Sequence, residues 1–515
     1  MTRSLPRTRP RRLARAVGVL TASLVVSVSV ALAGAGPAAA HGDDHDRAQK
    51  VQREYDEGTN VPLVNSPNVN FVTNFPESAA ISGCFAKTAP YFYVSSLDSV
   101  SVFDTSDPTR PQLTGTLDNL TFENEAMTCG ERKQGRTTQR FVLIGVDLHQ
   151  ASTDDVDHVN TGGGQELVVV DVTDPSDPTI RSRVPAATGT HTVACVVDTD
   201  CRYAYSSGDD GDEPGTGSFS VFDLTDLDNP REVDSEPATP ALDPFESPTA
   251  GHKWNFDNAG YGIHTGYDGS GMFDVSDPLD PRLVTTTGTA GQGTHADYPG
   301  YNDFIHHNSF RPNADGFEPH SAPSYQNGNV LLVTEEDYMQ TDCTKAGSFQ
   351  AWHVKSLDGT PDAVVPLDKV ELSDLGSFPV PEYAFCSAHW FDWHQSGIVA
   401  VGFYGGGLQL VDARDPENLK AYGHASWGLS EVWDAYWVPV YNKQERATEQ
   451  KTNVVYTVDL ARGLDVYTVD LPGAGSSSSG TVLSRTTTMP AQGVLPTPPV
   501  LTTAARLVDA ILPWA

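Results

Sequence analysis

The sequence has few basic residues for its 515 positions. Lysine and arginine total 33 against 67 aspartates and glutamates, which gives a net charge of −34 at pH 7. Six of the arginines lie within the first 15 residues, so the rest of the chain is more acidic still. Such a surface repels the phosphates of nucleic acids and of anionic membranes, and we expect neither as a partner.

Long apolar runs are also scarce, and the only candidate is residues 17–32. This run is shorter than the roughly 20 residues that a membrane span needs, so no membrane span is expected. It follows the arginine-rich start and precedes three consecutive alanines, a pattern typical of an export signal. We therefore expect residues 1–40 to be a signal peptide and the protein to be secreted, with a mature chain of net charge −40 that begins at His41.

Several motifs that mark common enzyme classes are missing. The chain has no G-x-S-x-G, no H-E-x-x-H and no phosphate-binding G-x-x-x-x-G-K-[ST] sequence. These absences argue against a serine hydrolase, a zinc protease of the common type and a nucleotide-dependent enzyme. No C-x-x-C pair occurs either, so a thiolate zinc site or a dithiol redox site is not expected.

The chain contains six cysteines, an even number that predicts disulfides in an exported protein. Six cysteines allow fifteen pairings. We expect Cys195 to pair with Cys201, because the five residues between them are typical of a hairpin loop. The pairs Cys84–Cys129 and Cys343–Cys386 follow by elimination and by their positions in the repeat described next.

A short unit recurs along the chain. A β-branched or aromatic strand ends in aspartate and is followed by a turn that contains proline. Aspartate accepts hydrogen bonds from turn backbone, and proline cannot extend a strand ladder. The clear copies begin at Val102, Val169, Val221, Met272 and Leu410, and two degenerate copies begin at Ala351 and Leu464. Another apolar strand precedes each copy, which predicts an all-β, seven-bladed β-propeller of four-stranded antiparallel blades.

The copy that starts at Val169 reads VVDVTDPSDP. It resembles the LVIVD repeat, which is named for the same strand and continues as D-V-S-D-P-x-x-P. The five clear and two degenerate copies together cover residues 79–473. The resemblance implies a propeller fold and an exported or surface location, and it brings no established chemistry.

The repeat also predicts the domain boundaries. We expect residues 41–78 to form an N-terminal extension, residues 79–487 the propeller and residues 488–515 a short C-terminal tail. Closure of the ring requires one more strand, which comes either from residues 51–75 or from the strand-like residues 481–487. The sequence does not decide between these two segments.

Alignment of the first strand of each blade brings out a set of histidines and glutamates. Each first strand carries a residue of buried type, such as Phe256 or Phe310, and four residues earlier the same face reaches one mouth of the channel. The residues at that position are Ala80, Glu125, His191, His252, His306, His389 and Glu431. Because the first strands converge on the axis, the four histidines and two glutamates are expected to lie together.

Imidazole and carboxylate are the ligands that zinc, iron, copper and manganese use in proteins. We therefore predict a divalent transition-metal site formed by these six side chains. His307 and His394 would replace ring members if the register shifts by one residue. The ends of the second strands reach the same face, and their carboxylates either orient the imidazoles or form a solvated rim. These ends are Asp98, Asp147, Asp209, Asp210, Asp268, Glu335, Glu336, Tyr404 and Asp459. A separate calcium site is possible at Asp209, Asp210 and Asp212.

Two functions remain open at this point. The protein is either an exported binding or scaffold propeller, with a small-molecule or protein ligand at the channel mouth, or a metal-dependent oxidase or hydrolase that uses the same ring. The ring is alternatively a structural polar network or a pocket without metal. The arrangement is similar, at the level of fold, to the selenium-binding protein and methanethiol oxidase family, whose propellers also gather histidines near the axis. Such a similarity gives little information about function, and the sequence does not indicate the oligomeric state.

Overall fold

A computed structural model of the chain describes residues 63–472. Its gaps are residues 77–79, 97–98, 119–124, 148–164, 209–215, 288–299, 302–303, 339, 341, 377–384 and 429. The predicted signal peptide, the possible calcium site and the predicted C-terminal tail lie outside the described residues. The same is true of residues 481–487.

Seven antiparallel sheets of four or five strands form the blades of the described chain. We number the blades along the chain and name their strands first to fourth from the axis outward. Blade 1 comprises Ala80–Phe85, Tyr91–Ser96, Ser99–Asp104 and Gln112–Asp118, and blade 2 comprises Thr128–Gln134, Thr137–Asp147, Gln165–Asp171 and Thr179–Pro185. Blade 3 comprises Thr192–Cys195, Tyr203–Ser207, Val221–Asp223 and Arg231–Glu232, and blade 4 comprises Gly251–Phe256, Tyr261–Gly266, Gly269–Asp274 and Arg282–Thr286. Blade 5 comprises Ile305–Phe310, Val330–Glu336, Phe349–Val354 and Val364–Val370, and blade 6 comprises Phe391–Trp393, Ile398–Gly402, Leu408–Asp412 and Lys420–Ser426. Blade 7 comprises Val432–Tyr441, Ala447–Asp459, Gly463–Val469 and Val69–Phe75. The prediction of a seven-bladed, all-β propeller is confirmed.

The remaining elements are short. Ser218–Phe219 and Phe245–Glu246 form a two-stranded ribbon, and Val64–Asn65 adds an edge strand to blade 6. The described helices are Leu372–Leu375, which is α-helical, and the 3-10 turns Asp198–Asp200, Ala314–Gly316 and Tyr325–Asn327. Within the described ranges, no helix combines the length and the apolar character needed to cross a membrane.

The aspartate that ends each clear repeat copy shapes the turn after the third strand. Its carboxylate accepts a hydrogen bond from the backbone N–H two residues later, as at Asp104, where the distance to Ser106 N is 2.8 Å. The equivalent donors to Asp171, Asp223, Asp274 and Asp412 are Thr173, Thr225, Ser276 and Arg414. The repeat therefore recurs because each blade needs the same turn, as the sequence predicted.

The closing strand comes from the N-terminal side of the propeller. Val69–Phe75 pairs antiparallel with Gly463–Val469 and becomes the fourth strand of blade 7. Of the two segments that the sequence left open, residues 51–75 therefore contain the strand that joins the two ends of the ring.

The hydrophobic core is divided among the spaces between neighbouring blades. Between blades 1 and 2, for example, Tyr93 and Val102 pack against Val142 and Ile144. Six further apolar clusters fill the other spaces, including the one between blades 7 and 1. Alternate residues of each strand point to opposite faces of the sheet, so every blade supplies side chains to two of these clusters.

Three disulfides join the six cysteines in the predicted pairs. Cys84–Cys129 connects the first strands of blades 1 and 2, and Cys195–Cys201 closes the hairpin of blade 3. Cys343–Cys386 ties a loop of blade 5 to the segment that enters blade 6. Two of the three bonds therefore link neighbouring blades.

His264, on the second strand of blade 4, is buried between polar and aromatic groups. Its ring stacks on Trp254, with ring centroids 4.3 Å apart, and its Nδ1 lies 2.7 Å from the Ser247 hydroxyl. Burial lowers the pKa of His264 to about 3, so the ring is neutral in the folded protein at pH 5. In the unfolded chain a histidine of ordinary pKa is protonated at pH 5.

We therefore expect the free energy of unfolding to fall as the pH drops from 7 to 5, with about 2 kcal/mol of the loss due to His264. Urea denaturation at the two pH values should show a smaller loss for His264→Gln than for the wild type. The exposed His320 provides a control, because His320→Gln should leave the loss unchanged. Equal losses in the wild type and in His264→Gln would contradict the assignment.

Candidate metal centre

The carboxylate of Glu125 lies at the meeting point of four imidazoles. Glu125 lies three residues before the first strand of blade 2, and it is fully buried. One of its oxygens contacts His191 Nε2 and lies 3.6 Å from His252 Nε2. The other oxygen lies 2.6 Å from His307 Nε2 and 2.7 Å from His389 Nε2. The four Nε2 atoms therefore point to one location on the axis.

Glu336, at the end of the second strand of blade 5, adds a second carboxylate. Its oxygens lie 3.6 Å from His307 Nε2 and 3.9 Å from His389 Nε2. These side chains form three overlapping groups of potential ligand atoms, in each of which all atoms lie within 4.8 Å of one another. Together they define the axial cluster: Glu125, His191, His252, His307, Glu336 and His389. The cluster is buried rather than open at the channel mouth, and His191, at 9%, is its most exposed member.

Local backbone structure explains how these side chains meet. A parallel bridge between Ala126 and Thr192 holds Glu125 beside His191, across the boundary of blades 2 and 3. In blades 4 and 5 the pairing of the first and second strands shifts at His252 and at His307. An extra residue in one strand re-aims its side chain, and both bulged residues are turned toward the axis.

One predicted ligand, His306, is wrong. His306 lies outside the axial cluster, and its Nδ1 is 2.9 Å from the Ser270 hydroxyl instead. The bulge at His307 gives the axial position to the next residue, which is the shift by one that the sequence left open. The sequence predicts Phe310 as the buried residue of the first strand of blade 5, but Phe310 is 38% exposed. The following residue, Arg311, is buried and forms an ion pair with Asp257 at 3.0 Å.

Glu431 and His394 are not members of the three groups that form the axial cluster. Glu431 accepts a hydrogen bond of 3.0 Å from Trp433 Nε1. The Trp433 ring packs edge-on against His389, so Glu431 supports the cluster through this ring. His394 contacts the Ser396 hydroxyl and the backbone oxygen of Lys451 instead.

Tyr404, which follows the second strand of blade 6, contacts the cluster in a strained conformation. Its hydroxyl donates a hydrogen bond to Glu336, and its ring lies 4.6 Å from that of His389. Tyr404 adopts a φ of 46°, in the left-handed region that residues other than glycine rarely occupy. Such strain is found mainly where the surroundings hold a functional group in place. The sequence predicts Glu336 only as a carboxylate that could orient the imidazoles, and Tyr404 only as the end of a second strand.

Hydrogen bonding identifies the proton position on one imidazole. His389 Nδ1 lies 2.8 Å from the backbone oxygen of Trp433, and a carbonyl oxygen only accepts, so Nδ1 carries the proton. In the neutral ring Nε2 then presents a lone pair toward the oxygen of Glu125, which also carries lone pairs. A proton or a metal ion between the two atoms is needed to make this contact attractive. A buried carboxylate likewise needs a positive charge nearby.

One segment of the chain matches a known repeat family. Residues 162–185 match the LVIVD repeat, so the chain carries the repeat that its sequence resembles. A solved structure with a similar fold is the beta-propeller domain of Myceliophteria thermophila Cps50 (Swd1), with a TM-score of 0.43 and 10% sequence identity. That similarity covers 78% of this chain and 100% of the other. No curated protein matches the sequence.

Proposed function

We propose that this protein is an exported LVIVD-repeat propeller that binds one divalent transition-metal ion in the axial cluster. His191, His252, His307 and His389 would supply imidazole nitrogens, and Glu125 would supply a carboxylate oxygen. Imidazole-rich sets with a carboxylate suit zinc, iron, copper and manganese. The proposed role is that of a metal-dependent binding protein, whose ligand is a small molecule or a protein.

The observation that supports this proposal most directly is the convergence of four Nε2 atoms on one carboxylate. A structural polar ring would also place histidines at equivalent positions, but it would not need to aim all four at one point. The cluster also buries two carboxylates, Glu125 and Glu336, and a divalent cation would offset their charge. Trp433 O fixes the His389 tautomer with the lone pair on Nε2, as metal binding requires.

The metal content of the purified protein tests this proposal. We expect one equivalent of zinc, iron, copper or manganese per chain by elemental analysis, and a metal-dependent increase in Tm. His307→Ala should lose the metal, because it removes a ligand. The neighbouring His306→Ala should retain it, because His306 contacts Ser270 and not the cluster. This control is matched, since both histidines are fully buried and adjacent in one strand.

Two results would contradict the proposal. One is a wild-type protein that takes up none of the four metals after equilibration with each of them. The other is a His307→Ala protein that keeps the full metal content of the wild type. In either case the cluster would be a structural network of hydrogen bonds.

A second candidate function, a metal-dependent oxidase or hydrolase, is favoured by one further observation. Glu125 lines not only the cluster but also an adjoining cavity of about 140 Å³. Structural metal sites are closed, whereas catalytic sites keep a coordination position open to water or substrate. A cavity beside the ion would leave room for such a position.

Substitution with Co²⁺ separates the two functions. If a coordination position is open, azide should bind the metal and change the visible absorption of the Co²⁺-loaded protein in a saturable manner. A spectrum that azide does not alter would indicate a closed site and would rule out the enzyme. The test does not depend on knowing the substrate.

Export remains a prediction from the arginine-rich start, and the three disulfides support it, because such bonds persist mainly in oxidising compartments. We expect protein recovered from the culture medium of an expressing bacterium to begin at His41. N-terminal sequencing measures this directly. Retention of residues 1–40 in a protein that stays in the cytoplasm would contradict it.

A further inference from the structure

The cavity beside the axial cluster lies on the propeller axis. Residues from six of the seven blades line it, and only blade 3 does not contribute. Representative lining residues are Ser82, Glu125, Lys253, Asn308, Asp392 and Asp434. Because Glu125 also belongs to the cluster, a molecule in the cavity would lie next to the proposed metal.

Lys253 supplies the positive charge of this cavity. Among the lining residues it is the one lysine or arginine, and its ammonium lies 3.4 Å from the centroid of the Trp390 ring. This contact with the ring face is favourable but leaves the N–H groups without an oxygen acceptor. Within the described part of the chain, the ammonium donates no hydrogen bond to another residue. Three donors are therefore available to a molecule in the cavity.

The two aspartates of the cavity have other direct partners. Asp392 forms an ion pair with Lys451 and accepts a hydrogen bond of 2.9 Å from Trp437 N. Asp434 accepts one of 2.7 Å from Ala435 N, and burial raises the pKa of its carboxyl to about 7. Neither aspartate lies within ion-pair distance of Lys253, although the charges of Asp434 and Glu125 favour its ammonium form from a longer distance. An anion bound at Lys253 would therefore displace no direct protein partner.

We propose that this cavity binds the carboxylate of a small organic acid, with the carboxylate on Lys253 and the opposite end of the molecule toward the axial cluster. The Trp390 ring connects the two ends of such a site, because its centroid is 4.3 Å from that of His307 and 3.4 Å from the Lys253 ammonium. The axial cluster and the Lys253 ammonium therefore both contact the same ring. Asn255 and Asn308, joined by a hydrogen bond of 2.9 Å, form a polar wall for the rest of the molecule.

The cavity volume limits the size of the ligand. A space of about 140 Å³ excludes peptides and sugars and suits an acid of a few carbon atoms. This inference rests on the proposed function only for the end of the organic acid that faces the metal. The carboxylate end depends on Lys253 alone.

Calorimetric titration of the full-length, metal-free protein with acetate tests the carboxylate site. We expect saturable binding to the wild type and an affinity about 10- to 100-fold weaker in Lys253→Met, which keeps the length of the side chain but removes its charged donors. Lys420→Met is the control, because Lys420 is exposed on the fourth strand of blade 6. Its affinity for acetate should equal that of the wild type.

Equal affinities of wild type and Lys253→Met for acetate would overturn the inference. If Lys253→Met does not fold, the wild type still decides, because it should bind acetate at least tenfold more tightly than the uncharged acetamide. Equal binding of the two probes, or no acetate binding at all, would also overturn it.

The same protein loaded with Co²⁺ distinguishes this inference from the proposed function. Glycolate, which carries a hydroxyl beside its carboxylate, should change the Co²⁺ spectrum in the wild type and require higher concentrations in Lys253→Met. Co²⁺ binding without binding of any carboxylate would refute the inference and leave the proposed function intact. Acetate binding that depends on Lys253, in a protein that takes up no metal, would refute the proposed function and leave the carboxylate site.

Discussion

The first strands of the seven blades share one axis, and the axial cluster depends on how closely they approach it. Glu125 and His307 are 182 residues apart in the sequence, yet their side chains are in hydrogen-bond contact. No local motif could produce this contact, since each blade contributes no more than two members of the axial cluster. The packing between the blades thus has a second effect beyond stability, because it sets the distances between the imidazoles.

The architecture was predictable from the sequence because the same turn is needed in every blade. Asp104 and its equivalents each hold the turn after a third strand, so selection for one turn leaves a visible repeat. The disulfide pairs were also predictable, since Cys195–Cys201 spans one short hairpin and Cys84–Cys129 joins equivalent positions of neighbouring blades, which leaves Cys343 and Cys386 for each other. The closing strand was not, because both candidate segments have the composition of a strand and only the three-dimensional pairing separates them.

The candidate site was predictable in part. Glu125, His191, His252 and His389 meet as expected, whereas His307 takes the place of His306 because a bulge adds one residue to the strand. Bulges of this kind leave little trace in a pattern of alternating residues. Blade 5 misled the alignment further, because it buries the charged Arg311 and exposes the apolar Phe310. An ion pair with Asp257 compensates the arginine, and sequence patterns do not show such compensation.

The order in which the chain is synthesised gives the closing strand a further consequence. Val69–Phe75 emerges from the ribosome early, but its partner Gly463–Val469 emerges after nearly four hundred more residues. A partly made chain therefore has an incomplete last blade and exposes two unpaired strand edges, which are templates for association with other chains. Contacts between residues so distant in sequence also form slowly. A propeller joined in this way must remain protected from its neighbours until its two ends meet.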